Sequence, residues 1–205
     1  MTTNGAFRIL YVCDNNFIRS PAAAIITNQR ARTYGLDIVA DSAGMDRKYT
    51  MFDPNMENVL RGRKYDGFRY TSKEVSKAVL DPQDIILCMN SNHIADLEKR
   101  MPELTERGNV FTFTQTAGYE ELDMPDPPSC IRDTAHTPES YFFRLPLKLR
   151  LRTYRKHGYV YAADTEAVIG LFETTATNIE NCVDRVLHEL FKTEKKPNTP
   201  LLSLL

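Results

Sequence analysis

The chain has 205 residues, with 26 lysines and arginines against 27 aspartates and glutamates, which gives a formal net charge of −1. This balance supplies no overall field to attract nucleic acid, and we expect no nucleic-acid partner. Because no apolar run reaches membrane-helix length and the amino terminus lacks a signal-peptide pattern, we expect no membrane span and a cytoplasmic location.

Short apolar runs alternate with helix-like segments along the first part of the chain. The runs predict four strands, at 7–12, 37–42, 84–89 and 109–114. The segments between them predict helices at 20–31, 54–63 and 91–100, the first with Ser20 as its cap. Strands that alternate with helices favour parallel pairing through right-handed crossovers, so we predict a three-layer α/β sandwich.

The last third of the chain is less regular. Apolar residues at helical spacing predict one long helix over 165–192, followed by a disordered tail at 195–205. The segment 128–164 breaks the alternation, and its leucines favour a hairpin, although a helix over 141–155 is also compatible. We interpret it as an insertion within a single domain of residues 1–194. Its excess of basic residues fits a solvated face or a surface that selects an anionic partner.

The segment CDNNFIRSP, residues 13–21, carries the strongest chemical signal. It places a cysteine at the end of the first strand and an arginine at the start of the following helix. Backbone N–H groups in such a turn can converge on a phosphate, and the helix amino terminus adds partial positive charge. The predicted phosphate-binding residues are Asp14, Asn15, Asn16, Phe17, Ile18 and Arg19.

Three side chains of this segment suit phosphoryl transfer. The positive field of the turn would stabilise the thiolate of Cys13, which is the form that a cysteine nucleophile requires. Arg19 offers a planar fork for two phosphate oxygens, and Ser20 is placed to donate its hydroxyl toward the sulfur. The spacing of a cysteine and an arginine is a weak signal alone. The preceding strand and the following Ser-Pro strengthen the prediction of a phosphatase that forms a phosphocysteine.

The segment resembles the loop Cys-x-Gly-Asn-x-Cys-Arg-Ser-Pro of the low-molecular-weight protein tyrosine phosphatase family. The matching residues are Cys13, Asn16, Arg19, Ser20 and Pro21. Residues 41–44 and 84–92 resemble two further family segments, and the likeness covers residues 8 to 127 together with the last helix.

The resemblance implies the family's four-stranded parallel sheet, of the phosphotyrosine protein phosphatase I type, and hydrolysis of phosphate monoesters, above all protein phosphotyrosine. It implies a general acid at Asp126, in the late Asp-Pro motif, with Asp123 and Asp133 as rivals. It also implies a side-chain hydrogen bond between Asn16 and Ser42 that supports the loop. The expected partner is a phosphorylated protein or a small phosphoester, and the oligomeric state is open.

The chain departs from the family pattern in three places. Asn15 replaces a glycine, which the loop tolerates because asparagine adopts positive φ more readily than most residues. Ile18 replaces the second loop cysteine, so the disulfide that protects the nucleophile cannot form there. Pro128 stands where an aromatic residue often follows, so we expect Tyr49 or Phe52 to form the substrate wall.

Two other functions are open. An arsenate reductase that uses an external thiol fits the same loop, and Cys88 lies where some related reductases keep a relay thiol. A catalytically silent phosphate-binding module is the second alternative. The four cysteines and four histidines show no metal-ligand spacing, so we expect reduced thiols and neither a metal nor a cofactor.

Overall fold

The computed structural model describes residues 5–68, 70–119, 123–124, 127 and 165–192. The strands are β1 Phe7–Cys13, β2 Ile38–Gly44, β3 Ile85–Cys88 and β4 Val110–Thr112. The helices are α1 Arg19–Tyr34, α2 Pro54–Gly62, α3 Lys77–Leu80, α4 Ser91–Arg100, α5 Pro102–Thr105, α6 Phe113–Thr116 and α7 Thr165–Phe191. The predicted insertion at 128–164 and tail at 195–205 lie outside the described residues, so the domain boundaries stay predictions.

The four strands form one parallel sheet in the order β2-β1-β3-β4. In the register of β1, Cys13 pairs with Gly44 at the end of β2, and Val12 pairs with Cys88 at the end of β3. The carboxyl ends of three neighbouring strands therefore meet at one edge of the sheet, where ligands bind in open α/β folds. The predicted four-stranded parallel sheet is confirmed.

Both faces of the sheet are covered, which makes three layers. Along β1, Ile9 and Tyr11 pack in one apolar cluster and Leu10 and Val12 in another, and all four are fully buried. Successive side chains of a strand point to opposite faces, so this alternation places one cluster on each side. The first cluster is shared with α1, α2 and α7. Burial on both faces explains why β1 is continuously apolar from Ile9 to Cys13.

Several predicted boundaries differ from the observed ones by one to three residues, and two of the differences have a clear cause. The fourth strand ends at Thr112 instead of Thr114, because the Thr112 hydroxyl accepts the Gln115 N–H at 3.3 Å and begins α6. The first helix begins at Arg19, with Ile18 as its N-cap and no side-chain cap hydrogen bond. Ser20 is therefore not the cap, because its hydroxyl faces the loop before the helix.

Helix α7 confirms the predicted closing helix and fastens α2 to the rest of the domain. Arg63, after α2, pairs with Glu173 and Glu180 of α7, each at 2.5 Å. The Tyr65 hydroxyl donates to the same Glu180 at 2.8 Å. No helix in the described part of the chain has the length and apolarity to cross a membrane.

Two isoleucines of α7 give a matched test of this packing. Ile179 is fully buried, whereas Ile169 is 42% exposed. Replacing Ile179 by alanine should lower the free energy of unfolding by about 2–5 kcal/mol, because it removes buried methyl groups and leaves a cavity. Ile169→Ala should change it by less than about 1 kcal/mol. Urea titrations of both variants measure the difference, and equal losses would contradict this packing of α7.

Candidate active site

The loop between β1 and α1, residues 14–18, is held from outside by the segments that follow β2. Met45 N–H donates to the carbonyl of Cys13 at 2.9 Å, and Asp46 N–H donates to that of Asp14 at 2.8 Å. Gly44 approaches so closely that a Cβ placed on it would lie 2.6 Å from the amide nitrogen of Asn16. The end of β2 is thus the surface on which the loop is built.

The outward bonds continue along the loop. The carbonyl of Asn16 accepts from the Tyr70 hydroxyl, that of Phe17 from Asp53 N–H at 3.0 Å, and that of Ile18 from Ala22 N–H at 3.2 Å. None of the described peptide bonds is cis, and across a trans peptide the N–H of the next residue points opposite to the carbonyl. The amides that face the inside of the loop are therefore those of residues 14, 15, 17, 18 and 19.

The inside of the loop is a pocket with the predicted nucleophile at its base. The lining residues are Cys13, Asp14, Asn15, Phe17, Ile18, Arg19 and Tyr49. Cys13 is 3% exposed, so its sulfur is reached through this pocket. Converging amides at the start of a helix make a site for an anion.

Ser20 lies against Cys13. Its Oγ is 3.0 Å from Cys13 Sγ and 3.3 Å from the carbonyl of Ala43. Asn16 Nδ2 donates to the same oxygen at 3.0 Å, so the hydroxyl proton is directed to the sulfur or to the carbonyl. This geometry supports the predicted role of Ser20 as a donor to the sulfur.

Asn16 stabilises the loop through its backbone conformation and its side-chain hydrogen bonds. Its φ is 49°, in the left-handed region where asparagine is tolerated. Its side chain donates to Ser20 and accepts the N–H of Lys73 at 2.8 Å. The expected hydrogen bond to Ser42 is not the one formed, because Ser42 is buried in β2 with its hydroxyl beside that of Tyr70.

The structure also revises the expectation for Asn15. The residues other than glycine with positive φ in the described chain are Asn16, Lys64 and Lys192. Asn15 keeps an ordinary backbone, so the replacement of the family's glycine needs no left-handed conformation. Its side-chain oxygen is buried with no hydrogen-bond partner among the described atoms.

Arg19 is 2% exposed and is oriented by residues far away in sequence. Its Nη1 donates to Asn90 Oδ1 at 2.8 Å and to the carbonyl of Met124 at 2.9 Å. Its Nη2 donates to Asp14 Oδ2 at 2.5 Å. A buried guanidinium needs such partners, and they fix the plane of the fork beside the pocket.

His93 completes the group around Asp14. Its Nε2 lies 3.1 Å from Asp14 Oδ1, without the alignment of a directed hydrogen bond, and its Nδ1 accepts the N–H of Asn90 at 3.2 Å. His93 and then Arg19 outweigh the opposing effect of burial and lower the pKa of Asp14 to about 2.

Sequence reasoning missed Asn90, His93 and Gly44 as site residues. Only the likeness of segments 41–44 and 84–92 to the family pointed to their surroundings.

One of the two expected wall residues lines the pocket. The rings of Tyr49 and Phe17 are stacked, with centroids 4.2 Å apart and planes 25° from parallel. Phe52 is 4% exposed and packs on Phe68 and Tyr70 behind the loop. Phe52 therefore belongs to the core cluster and is not among the pocket-lining residues.

The candidate general acid, Asp126, lies outside the described residues, as do its rival Asp133 and the thiol of Cys130. The other rival, Asp123, accepts the N–H of Ser91 at 2.8 Å at the start of α4.

Cys88 is fully buried in β3, and burial raises its pKa to about 12, which makes it a poor relay thiol. The described residues contain no cluster of histidine, cysteine, aspartate or glutamate side chains able to hold a metal ion.

The chain is similar to known proteins. The model of the family "Low molecular weight phosphotyrosine protein phosphatase" matches residues 8–142. The low molecular weight protein-tyrosine-phosphatase YfkJ of Bacillus subtilis is 31% identical over 126 residues, which cover 58% of this chain and 79% of YfkJ. A low molecular weight protein-tyrosine-phosphatase of Streptomyces coelicolor is 26% identical over 128 residues, covering 59% and 77%.

Among solved structures, the arginine phosphatase YwlE from Geobacillus stearothermophilus is similar with a TM-score of 0.64 and 21% identity, over 91% of this chain and 94% of that one. This likeness concerns the fold. The family match decides the class: the chain belongs to the low molecular weight phosphotyrosine protein phosphatase family. The predicted family, fold and hydrolase class are confirmed, and the roles of individual residues stay predictions.

Glycine substitutions test whether the end of β2 shapes the loop. In Gly44→Ala the new Cβ would also lie 2.8 Å from the carbonyl carbon of Asn15 and 3.0 Å from the carbonyl oxygen of Asp14, so backbone must move. Since misplaced catalytic groups cost roughly 10²-fold, kcat/KM for p-nitrophenyl phosphate should fall by about that factor. The matched control is Gly62→Ala in α2, where a Cβ meets nothing within 4 Å. If Gly44→Ala keeps the activity of the control, the loop does not depend on this contact.

Proposed function

We propose that this protein hydrolyses phosphotyrosine in proteins through a phosphocysteine on Cys13. The observation that carries the proposal is the position of the Cys13 sulfur at the base of a ring of inward-facing amides, beside the guanidinium of Arg19. Amides and a guanidinium that converge on one point stabilise the charge of a transferring phosphoryl group. The free thiols at Cys13, Cys88 and Cys182 are consistent with the proposed cytoplasmic location.

In the first step the thiolate of Cys13 attacks phosphorus and the bond to the substrate oxygen breaks. The leaving oxygen takes a proton from Asp126, which we assign as the general acid. Support for this assignment comes from the carbonyl of Met124, which lies 2.9 Å from Arg19 Nη1. Asp126 follows Met124 by two positions in the sequence.

In the second step a water molecule attacks the phosphocysteine and gives its proton to the carboxylate of Asp126. The bond between sulfur and phosphorus breaks, and the sulfur leaves as a thiolate. The Ser20 hydroxyl, 3.0 Å from the sulfur, stabilises that thiolate by donating a hydrogen bond. Inorganic phosphate then leaves the loop, and the enzyme returns to its starting state.

The aromatic pair favours phosphotyrosine as the substrate. Tyr49 stacks on Phe17 at the pocket wall, and a phenyl ring gains from such a face. A phosphoarginine substrate, suggested by the similar fold of an arginine phosphatase, is aliphatic up to its guanidinium and gains less from it. Arsenate reduction through Cys88 is disfavoured by the burial of that thiol.

The assignment of the nucleophile predicts that Cys13→Ser lowers hydrolysis of a phosphotyrosine peptide by at least about 10³-fold, since it replaces the attacking atom. Phosphate release is measured with phosphotyrosine and phosphoarginine peptides, and the phosphotyrosine peptide should have the higher kcat/KM. Cys182→Ala, at a buried thiol of α7 that is not among the pocket-lining residues, is the control and should retain activity. A wild-type protein without activity on either peptide would disprove the proposed function.

The assignment of the general acid predicts a dependence on the leaving group. Asp126→Asn should lower kcat/KM for phenyl phosphate by about 10²–10⁴-fold, because phenoxide needs a proton to leave. The loss for p-nitrophenyl phosphate should be much smaller, since p-nitrophenoxide is a stable anion. Asp123→Asn and Asp133→Asn are the controls. If either of them shows the leaving-group dependence instead, the acid has been misassigned.

A further inference from the structure

The loop between β1 and α1 carries a negatively charged side chain, the carboxylate of Asp14. Asp14 lines the pocket, and its Oδ2 lies 2.5 Å from Nη2 of Arg19. Its side chain is half exposed, so the carboxylate is open to the pocket and to solvent. The carboxylate therefore contacts the guanidinium that, in the proposed function, receives the phosphate of the substrate.

Asp14 stays negatively charged whenever the enzyme works. Its pKa is held near 2, first by His93 and then by Arg19, so the group is ionised throughout the neutral range. A bound phosphate brings a second negative charge to the same guanidinium. Like charges in direct contact are strongly unfavourable, so substrate and carboxylate cannot both keep their best positions on Arg19.

His93 offers the carboxylate an alternative position. The imidazole is 3% exposed, and its Nδ1 accepts the N–H of Asn90, so the ring proton lies on Nε2. The carboxylate already contacts both groups, since its Oδ1 lies 3.1 Å from that Nε2, without the alignment of a full hydrogen bond, and its Oδ2 lies 2.5 Å from Nη2 of Arg19. A small rotation of the Asp14 side chain toward His93 would align the hydrogen bond to Nε2 and release Nη2 of Arg19.

We propose that Asp14 determines the oxyanion affinity of the pocket as an internal competitor: its carboxylate holds Arg19 while the pocket is empty and moves to His93 when phosphate binds. The inference rests on the proposed function, in which the loop binds phosphate. Competition of this kind weakens the binding of inorganic phosphate, the product, and so speeds its release. The guanidinium also stays paired while the pocket is empty, which a buried charge requires.

The alternative role for Asp14 is to orient Arg19, and the two roles predict opposite signs. If the carboxylate competes with phosphate, Asp14→Asn binds phosphate more tightly, because the amide oxygen still accepts from Arg19 without the negative charge. If the carboxylate orients the guanidinium, the same variant binds phosphate more weakly, because a neutral amide holds Arg19 less firmly than a carboxylate does. The sign of one change in affinity therefore separates them.

The test is calorimetric titration of the full chain with inorganic phosphate. Asp14→Asn should lower the dissociation constant about tenfold, and phosphate should become a correspondingly stronger inhibitor of p-nitrophenyl phosphate hydrolysis. The control is Asp46→Asn, which removes a carboxylate that lies 3.6 Å from Arg100 on the neighbouring segment. Equal changes in both variants would show a general effect of charge, and an unchanged or higher constant for Asp14→Asn would overturn the proposal.

A second variant tests the exchange to His93. His93→Leu removes the alternative partner, so phosphate binding should weaken about tenfold in the wild-type background and change little in the Asp14→Asn background. The same loss in both backgrounds would mean that His93 only supports α4. Circular dichroism melts check that each variant is folded, and if His93→Leu does not fold, the sign for Asp14→Asn still decides the competition.

The outcomes separate this inference from the proposed function. A wild-type chain that neither binds phosphate nor hydrolyses p-nitrophenyl phosphate would contradict both the proposed function and the proposed role of Asp14. If the wild-type chain binds phosphate and hydrolyses p-nitrophenyl phosphate, but Asp14→Asn binds phosphate no more tightly, only the proposed role of Asp14 as an internal competitor is contradicted.

Discussion

The hydrogen bonds that draw the carbonyls of the first loop outward are the constraint on which the site depends. Met45 and Asp46 supply two of these donors from the end of β2, and Tyr70 and Asp53 supply two more from later segments. Because carbonyl and N–H point in opposite directions across each trans peptide, satisfying the carbonyls outside turns the amides inward. The pocket for an oxyanion is thus a consequence of the backbone pairing around it. Its shape is set by hydrogen bonds within the protein, so the backbone amides are already oriented for an anion.

A pocket of this kind concentrates positive potential, and the surrounding structure balances it. Arg19 is buried, and it is stabilised by the oxygens of Asn90, Met124 and Asp14, two of which come from distant parts of the chain. A phosphate that binds to Arg19 therefore meets a guanidinium that already has the carboxylate of Asp14 as a partner. In our proposal Asp14 and His93 resolve this competition by exchanging partners, so that the charge of Arg19 is neutralised both in the empty and in the occupied pocket.

The departures from the family's loop pattern are mild for physical reasons. The left-handed backbone falls on Asn16, which matches the family, whereas Asn15 keeps a negative φ and needs no glycine. Ile18 is buried at the start of α1, where an apolar side chain packs as well as a cysteine. Phe17 stacks with Tyr49 and helps to build the pocket wall. Asn15, Phe17 and Ile18 line the pocket and leave the ring of amides intact.

The sequence alone determined the sheet, the long helices and the position of Cys13 at the end of the first strand, because these follow from local signals. A strand buried on both faces must be apolar throughout, and a cysteine that ends such a strand just before a helix lies in the positive field of the helix amino terminus. Only the tertiary structure decided the partners of the side chains: Ser20 faces the sulfur instead of capping α1, Asn16 bonds Ser20 and Lys73 instead of Ser42, and Phe52 turns into the core. The contacts of Arg19 join residues 71 and 105 positions apart. No local pattern encodes such pairs, since they depend on how the strand ends meet at one edge of the sheet.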